Sequence, residues 1–382
     1  MKTVLIIGAR KPCCEAVLNL GHQYLLWDER GLLPSLSKKA LASLEIPFPK
    51  SNESFSAEIL SFLDAQNIDA VLAVSEASVV LGARVREHLG FKRALPFTVE
   101  CFHNKLAMKQ KVLEADIPIT DFVEINENTN VKNLVQELGL PVVFKRKDLS
   151  GGKDLQVLSD VKKFALQKKQ GWLAERFITG SEMSVESFVQ NGKILFQHTT
   201  EYLGHYHHLI APAAQYPKVT EEVIALNNKV LSILGVDTGM THAEFYLTEQ
   251  GPVFGEVAIR PPGGFIMLLI ELEFGFKPWE MLVRLELGEM VNFPPKRKSY
   301  AGVHLIHPPA GTITKLKGVK ELSALPGVEA VQVKLKVGEK IKKRETAGEN
   351  KGRVLVRGQN RDEIIQIFET IRKTLVIEVE ED

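Results

Sequence analysis

Between Thr3 and about residue 95 the chain alternates short β-rich runs with stretches whose apolar positions recur at helical spacing. Thr3-Val-Leu-Ile-Ile7, Tyr24-Leu-Leu-Trp27 and Ala70-Val-Leu-Ala-Val74 read as strands, and the segments between them as helices. Strands alternating with helices predict a small doubly wound parallel sheet.

The middle of the chain changes character. Residues 98–116 have a helical pattern that stops at Ile117-Pro118, and Pro141-Val-Val-Phe-Lys145 is a strand that runs into Arg-Lys-Asp-Leu-Ser-Gly-Gly-Lys153. Leu155-Gln-Val-Leu158 is a second strand, so a glycine-bearing turn joins the two. An amphipathic helix over 161–169, a strand at Trp172-Leu-Ala-Glu175, a turn at Thr179-Gly180 and a long strand from Met183 to Val189 follow. Apolar and polar residues alternate on both sides of Thr248-Glu-Gln-Gly-Pro252, the pattern of a β-hairpin with one buried face. Residues 118–290 therefore predict an α+β region with antiparallel hairpins. Past Pro294 short strands return, among them the alternating Gly327-Val-Glu-Ala-Val-Gln-Val-Lys-Leu335, and Arg361 to Thr374 is an amphipathic helix.

Composition narrows the class. The 382 residues are 45% hydrophobic and 25% charged, as in a globular protein of two or three domains. Lys plus Arg total 48 against 47 Asp plus Glu, so no global charge draws the protein to nucleic acid or an anionic membrane. The run Phe265-Ile-Met-Leu-Leu-Ile270 is broken by Glu271 and Glu273, well short of the roughly 20 residues of a membrane span. The opening apolar run meets Arg10 and Lys11 at once, which suits a buried strand better than a signal peptide. Three cysteines, with Cys13 and Cys14 adjacent in an expected loop, form neither a disulfide framework nor a CxxC site, so a reducing cytoplasm is expected. Gly8 closes the first strand, but Ala-Arg-Lys-Pro-Cys after it lacks the further glycines of a dinucleotide fingerprint. Asp28 then reads as an ordinary strand-end acid rather than a ribose ligand.

The candidate chemistry lies in the central region. Glu256, Ala258 and Arg260 share one face of the outgoing hairpin strand, and Glu244 can lie opposite, so two hard carboxylates could hold a divalent cation while Arg260 reaches a phosphoryl group. Lys105 and Lys145 offer positive charge for phosphates, although Lys105 also reads as a solvated helix lysine. Ser150, Gly151 and Gly152 can bring backbone amides close to phosphate oxygens, or form a plain turn. Pro261-Pro-Gly-Gly264 precedes a helix starting near Phe265, so amides at Gly263 and Gly264 could receive a carboxylate. His198, His205, His207 and His208 fall in one segment; substrate contact, a solvated loop and a zinc site are open, the last without partner cysteines. His242 reads as a packed histidine or one supporting the metal strand. Glu186 shares a strand face with Glu182 and points either at triphosphate or substrate, or into solvent.

Lys105, Lys145, Ser150-Gly151-Gly152, Glu175-Arg-Phe-Ile-Thr-Gly-Ser-Glu182, Glu244, Glu256 and Arg260, in that order, resemble the ATP-grasp superfamily of carboxylate–amine ligases. The resemblance spans about residues 98–290, and the flanking segments have the expected sizes. It implies an ATP-grasp fold of mixed α/β and α+β class. An N-terminal parallel α/β domain would occupy 1–97, a nucleotide-binding catalytic domain 98–295, and a β-rich segment completing the core 296–382. It further implies that the Glu175 region receives the adenine amino group and that Phe177 or Ile178 supplies a main-chain amide. Glu182 would accept from the ribose, and Glu244 and Glu256 would bridge Mg²⁺ (or Mn²⁺) to ATP. Arg260 and Lys145 would stabilise the transferring phosphoryl group.

The family commonly has Asn where this chain has Ala258, which removes one oxygen ligand and moves the resemblance toward L-amino-acid ligases that make dipeptides. The trailing segment is similar to that of biotin-carboxylase-type enzymes. The implied partners are a small-molecule carboxylate and an amine, with no nucleic acid and no membrane, and a homodimer is left open. Two alternatives stand: a ribotide ligase or carboxylase of purine-biosynthesis type, and a nucleotide-binding protein without catalysis.

Overall fold

A computed structural model of the chain describes residues 1–29, 34–148, 154–160, 171–204, 207–344 and 348–380. A strand with no polar face must be covered on both sides. Accordingly β1 (Thr3–Ile7) is buried throughout and sits inside a four-stranded parallel sheet, between β2 (Gln23–Trp27) and β4 (Ala70–Ala73), with β3 (Ala42–Leu44) outside β2. β3 is absent from the sequence reading because three residues are too short to show a period. Around this sheet lie α1 (Lys11–Asn19), α2 (Pro34–Ser37), α3 (Ala57–Asp64) and α4 (Glu76–His88). Cys13 and Cys14 lie in α1, not in a loop, because Pro12 starts the helix immediately after the strand. Asp28 Oδ2 accepts from the Ala9 amide at 2.7 Å, so the strand-end acid ties down the loop after β1.

The single helix expected over 98–116 is two, α5 (Pro96–His103) and α6 (Lys105–Leu113). Asn104 between them is extended, and its side chain accepts from the Leu106 and Ala107 amides, which makes it the N-cap of α6. A four-stranded antiparallel sheet follows, in the order β5 (Phe122–Ile125), β8 (Trp172–Arg176), β6 (Val142–Arg146) and β7 (Gln156–Leu158), with α7 (Val131–Leu138) against it. The glycine turn with Ser150, Gly151 and Gly152, and the helix expected over 161–169, lie outside the described residues.

The largest sheet has eight strands: β13 (Gly251–Ala258), β12 (Gly239–Thr248), β9 (Ser181–Gln190), β10 (Lys193–Leu203), β11 (His208–Ala211), β14 (Tyr300–Leu305), β18 (Gly352–Gly358) and β16 (Val328–Val333), in that order. Helices α8 (Pro217–Leu234), α9 (Ile266–Phe274), α10 (Pro278–Glu286), α11 (Val319–Leu322) and α12 (Arg361–Thr374) are the remaining helices among the described residues. A small sheet orders β17 (Lys340–Ile341), β15 (Gly311–Lys317) and β19 (Val376–Glu380). Strand alternation divides the large sheet: Met183, Val185, Ala243, Phe245 and Val257 join a core with Met108 and Val112 of α6 and Val223 and Val230 of α8. The opposite face of the same strands is polar at Glu182, Ser184, Glu186, His242 and Glu244, and apolar further along at Phe188 and Met240, which join a second core. No helix among the described residues is long and apolar enough to cross a membrane.

At the β11–β14 junction His208 and His304 lie in register, their Nε2 and Nδ1 atoms 2.9 Å apart, and both rings lean on Phe368 of α12. Burial, together with Arg372 and neighbouring imidazoles (His304 for His208, His207 for His304), pushes His208 down to about 3 and His304 down to about 4. In the unfolded chain both take up protons near pH 6.5. The unfolded state therefore binds more protons below that value, and the stability the pair provides above pH 6.5 is lost as pH falls toward 4. Denaturant titrations from pH 7 to 4 should show this loss, with a shallower slope in His208→Gln.

Candidate nucleotide and metal site

Lysines and carboxylates converge where α6, β6, β8 and β13 meet. The Lys105 amide donates to Lys147 O at 2.9 Å, which pins the start of α6 beside the end of β6. The register Val143↔Glu175 sets Glu175 on the same strand face as Lys145. Lys145 Nζ lies 2.9 Å from Glu175 Oε1 and 3.8 Å from Glu256 Oε2, and Lys105 Nζ lies 3.3 Å from Glu256 Oε2. Burial alone would lower the Lys145 ammonium, but Glu175 and Glu256 outweigh it and raise it. Burial likewise opposes the Glu256 carboxylate, and Lys105 and Lys145 more than compensate, holding it below its ordinary value. Lys105 is thus a buried partner of Glu256, not a solvated helix lysine.

Lys109 was not anticipated, though its signal was present: it stands four residues after Lys105 on one helix and so shares its face. Its Nζ is 3.4 Å from Glu175 Oε1, and burial pushes it down to about 8. Glu175 therefore faces the lysines with its side chain. The Phe177 amide donates to Pro141 O at 3.3 Å and is already engaged, which leaves Ile178 of the two amides expected at the adenine edge. Lys109→Met should leave Glu175 to Lys145 alone, so Lys145 is held back from phosphate. ATP affinity should fall about tenfold, equivalent to roughly 1.4 kcal/mol, in an equilibrium binding titration.

The polar face of the large sheet forms rows across its strands. Ser184 pairs with Thr200 on one side and Glu244 on the other, and Glu244 pairs with Glu256. One step along, Glu186 pairs with His198 and with His242, and His242 with Ala258. In the third row Glu182 lies between Tyr202 and Tyr246.

Glu186 does not face triphosphate, substrate or solvent. It is wholly buried and both oxygens are filled: Oε1 accepts from Ser184 Oγ at 2.6 Å and His242 Nδ1 at 2.8 Å, Oε2 from His198 Nδ1 at 2.8 Å and Thr200 Oγ1 at 3.1 Å. Burial resists the charged form, yet the two histidines hold Glu186 down at about 2. Burial opposes protonation of the rings too, but Glu273 and Glu186 raise His198, and Glu186 and Glu244 raise His242, each to about 9. The histidines expected in one segment part company. His198 belongs to this buried group, whereas His208 pairs in register with Leu203 and lies on the sheet face packed by α12, away from Glu244. His207 meets His307 edge to face at 5.2 Å between ring centroids, and its carbonyl accepts from the Leu305 amide. His205 lies outside the described residues.

Arg260, two residues beyond β13, reaches the N-terminal sheet region. Its Nε donates to Glu76 Oε2 at 2.7 Å and its Nη1 to Pro261 O at 3.1 Å, while His103 Nδ1 lies 3.0 Å from Glu76 Oε1. Burial raises the Glu76 carboxyl, but His103 and Arg260 overcome it and hold it at about 2. Glu76 and His103 were missed. The available signal was the position of Ser75-Glu76 past the carboxyl end of a parallel strand, where open α/β sheets bind ligands. Gly263 and Gly264 form the turn into α9, with Gly264 at φ +58 and the Gly263 carbonyl accepting from the Ile266 amide.

Glu244 and Glu256 lie in register, with side chains 32% and 26% exposed, so both are open to the same side of the hairpin. No group of three or more His, Cys, Asp or Glu among the described residues is arranged to hold a metal ion unaided. Two hard carboxylates that need water and phosphate oxygens to complete a shell fit Mg²⁺ arriving with a nucleotide.

Comparison with known proteins agrees with this geometry. Residues 110–264 match the ATP-grasp domain family, and residues 304–380 match the family described as L-amino acid ligase C-terminal domain 2. An L-arginine-specific L-amino acid ligase of Bacillus subtilis is 23% identical over 349 residues, covering 85% of this chain and 83% of its own length. The crystal structure of L-amino acid ligase from Bacillus licheniformis superposes with a TM-score of 0.81 at 19% identity, covering 100% of this chain and 99% of that one. N5-carboxyaminoimidazole ribonucleotide synthetase from Thermotoga maritima superposes at 0.77 with 20% identity and full coverage of both chains. At such identities the structural likenesses establish the fold, while the two family matches lie one after the other along more than half of the chain. The chain belongs to the ATP-grasp proteins of the L-amino acid ligase type, ATP-using ligases that join a carboxylate to an amine.

Proposed function

We propose that the protein joins two amino acids, using Mg-ATP to convert the carboxylate of one into an acyl phosphate that the amine of the other attacks. The observation that carries the site assignment is the convergence of Lys105, Lys145 and Glu256 beside the in-register pair Glu244 and Glu256. Ala258, in place of an oxygen-bearing residue, and the L-amino acid ligase C-terminal domain favour amino acids over a ribotide.

A carboxylate is a poor electrophile because its leaving group would be oxide. Attack of its oxygen on the γ-phosphorus breaks the bond to ADP and replaces that leaving group with phosphate. The amine then attacks the carbonyl carbon, loses a proton and expels phosphate, giving an amide. The protein contributes mainly position and charge. Lys105 and Lys145 exchange their carboxylate partners for phosphate oxygens, and Glu175 stays neutralised by Lys109 when Lys145 leaves it. Arg260, held by Glu76, presents its guanidinium to the charge that develops on the transferring group. Glu244 and Glu256 would hold Mg²⁺ (or Mn²⁺), whose charge would offset that of the β- and γ-phosphates. A cytoplasmic location is part of the proposal.

ADP release measured across single amino acids and pairs, with Arg260→Ala as control, tests this reading. Release that needs two amino acids and vanishes in the variant is the expected result. Release with one carboxylate and bicarbonate or a ribotide, and none with any amino-acid pair, would favour the purine-type alternative.

A further inference from the structure

The carboxylate of Glu244 is the exposed end of a continuous buried array. Glu244 Oε1 lies 3.2 Å from His242 Nε2, and the other nitrogen of that ring, Nδ1, is 2.8 Å from Glu186 Oε1. Glu186 Oε2 is 2.8 Å from His198 Nδ1, and His198 Nε2 is 2.9 Å from Glu273 Oε2 on α9. Acid and imidazole alternate from helix α9 across β10, β9 and β12 to the hairpin. The side chains of His198 and Glu186 are fully buried and that of Glu273 almost so, whereas Glu244 opens to the site.

Such an array is a poor device for stability. Buried ion pairs commonly cost as much in desolvation as they return, and apolar residues of similar volume would serve the core as well. What it supplies is fixed orientation. An imidazole with a carboxylate at each nitrogen cannot turn without breaking both contacts, of which that between His198 Nε2 and Glu273 Oε2 is a close buried ion pair rather than an aligned hydrogen bond. Glu186 cannot turn either, because Ser184 and Thr200 occupy the rest of its acceptor capacity. α9 follows directly on the turn at Pro261–Gly264, so the array links the segment after Arg260 to the opposite side of the site.

We propose that Glu273, His198, Glu186 and His242 are positioning residues that fix the Glu244 carboxylate for the cation, so that cation affinity is set in part by groups that never touch it. The proposal rests on the reading of Glu244 as a cation carboxylate. Partners behind metal ligands typically alter metal affinity by 10- to 100-fold when replaced.

The test needs no turnover. ADP affinity is measured by calorimetry with and without Mn²⁺, and the quantity read is the factor by which Mn²⁺ tightens ADP binding. In Glu186→Gln that factor should drop about tenfold, while ADP affinity without Mn²⁺ stays at the wild-type value. Glu244→Gln should lose at least as much. The double variant should lose no more than Glu244→Gln alone, because the array acts only through that carboxylate. A Glu186→Gln protein with the wild-type factor, beside a Glu244→Gln protein that has lost it, overturns the array and leaves the metal reading intact. A wild-type factor in Glu244→Gln overturns the metal reading and the proposal with it. Additive losses in the double variant would mean general loosening of the sheet and also overturn it. If Glu186→Gln fails to fold by circular dichroism, Glu273→Gln at the far end of the array is read in the same way, with the same expected and overturning results.

Discussion

Glu256→Gln should lower turnover by roughly 1,000-fold while leaving ATP affinity in the absence of a divalent cation unchanged or slightly tighter. The carboxylate has two duties that pull in opposite directions. It pairs with Lys105 and Lys145, so in the cation-free protein it competes with phosphate for them. It also forms half of the in-register pair with Glu244 that would hold the cation. Glutamine keeps the shape but removes the charge, which frees the lysines and weakens the cation site together. Steady-state ADP release and ATP titrations with and without Mg²⁺ separate the two effects. A nucleotide-binding protein without catalysis would show only the second.

On the proposed reading, in which the guanidinium meets charge that grows during transfer, Arg260→Ala should cost between about 100- and 1,000-fold in kcat, with a much smaller change in the KM for ATP. Arg260→Lys should recover only part of the loss. The Nε contact to Glu76 and the Nη1 contact to Pro261 O fix a planar fork that an ammonium cannot reproduce. Glu76→Gln retains a hydrogen-bond acceptor for Arg260 but drops the charge, and its loss in kcat should be the smaller, about tenfold. A fall in kcat/KM matched by an equal rise in KM, with kcat untouched, would show that Arg260 serves binding alone.

The hairpin was legible because it depends on local pattern. Alternation on either side of Gly251 sets the register of β12 and β13 as far as Phe245 and Phe254, but the facing of Glu244 and Glu256 needs a one-residue shift at Gly255 that the alternation does not show. The helix over Arg361–Thr374 appears with the expected ends because its apolar stripe and its flanking polar residues agree. What stayed hidden depends on contacts between elements far apart in the chain. Glu186 looked like a strand carboxylate with a free choice of face. Only the pairing of β9 with both β10 and β12 sets His198 and His242 on either side of it. The tie between Glu76 and Arg260 spans two sheets, and no spacing in the sequence encodes it. His207 and His208 illustrate the reverse error. His207 stays in the turn before β11 while His208 is on the strand, so a cluster of letters is not a cluster in space.

The large sheet runs without interruption from the β12–β13 hairpin into the C-terminal region, because β14 pairs along the free side of β11. A chain that ended before Tyr300 would thus leave the backbone amides and carbonyls of β11 unpaired along an open edge, beside a core that includes Ile210. Such an edge invites strand addition from another molecule. Loss of the C-terminal quarter would therefore be felt first as self-association of the remaining protein, before any question of activity arises.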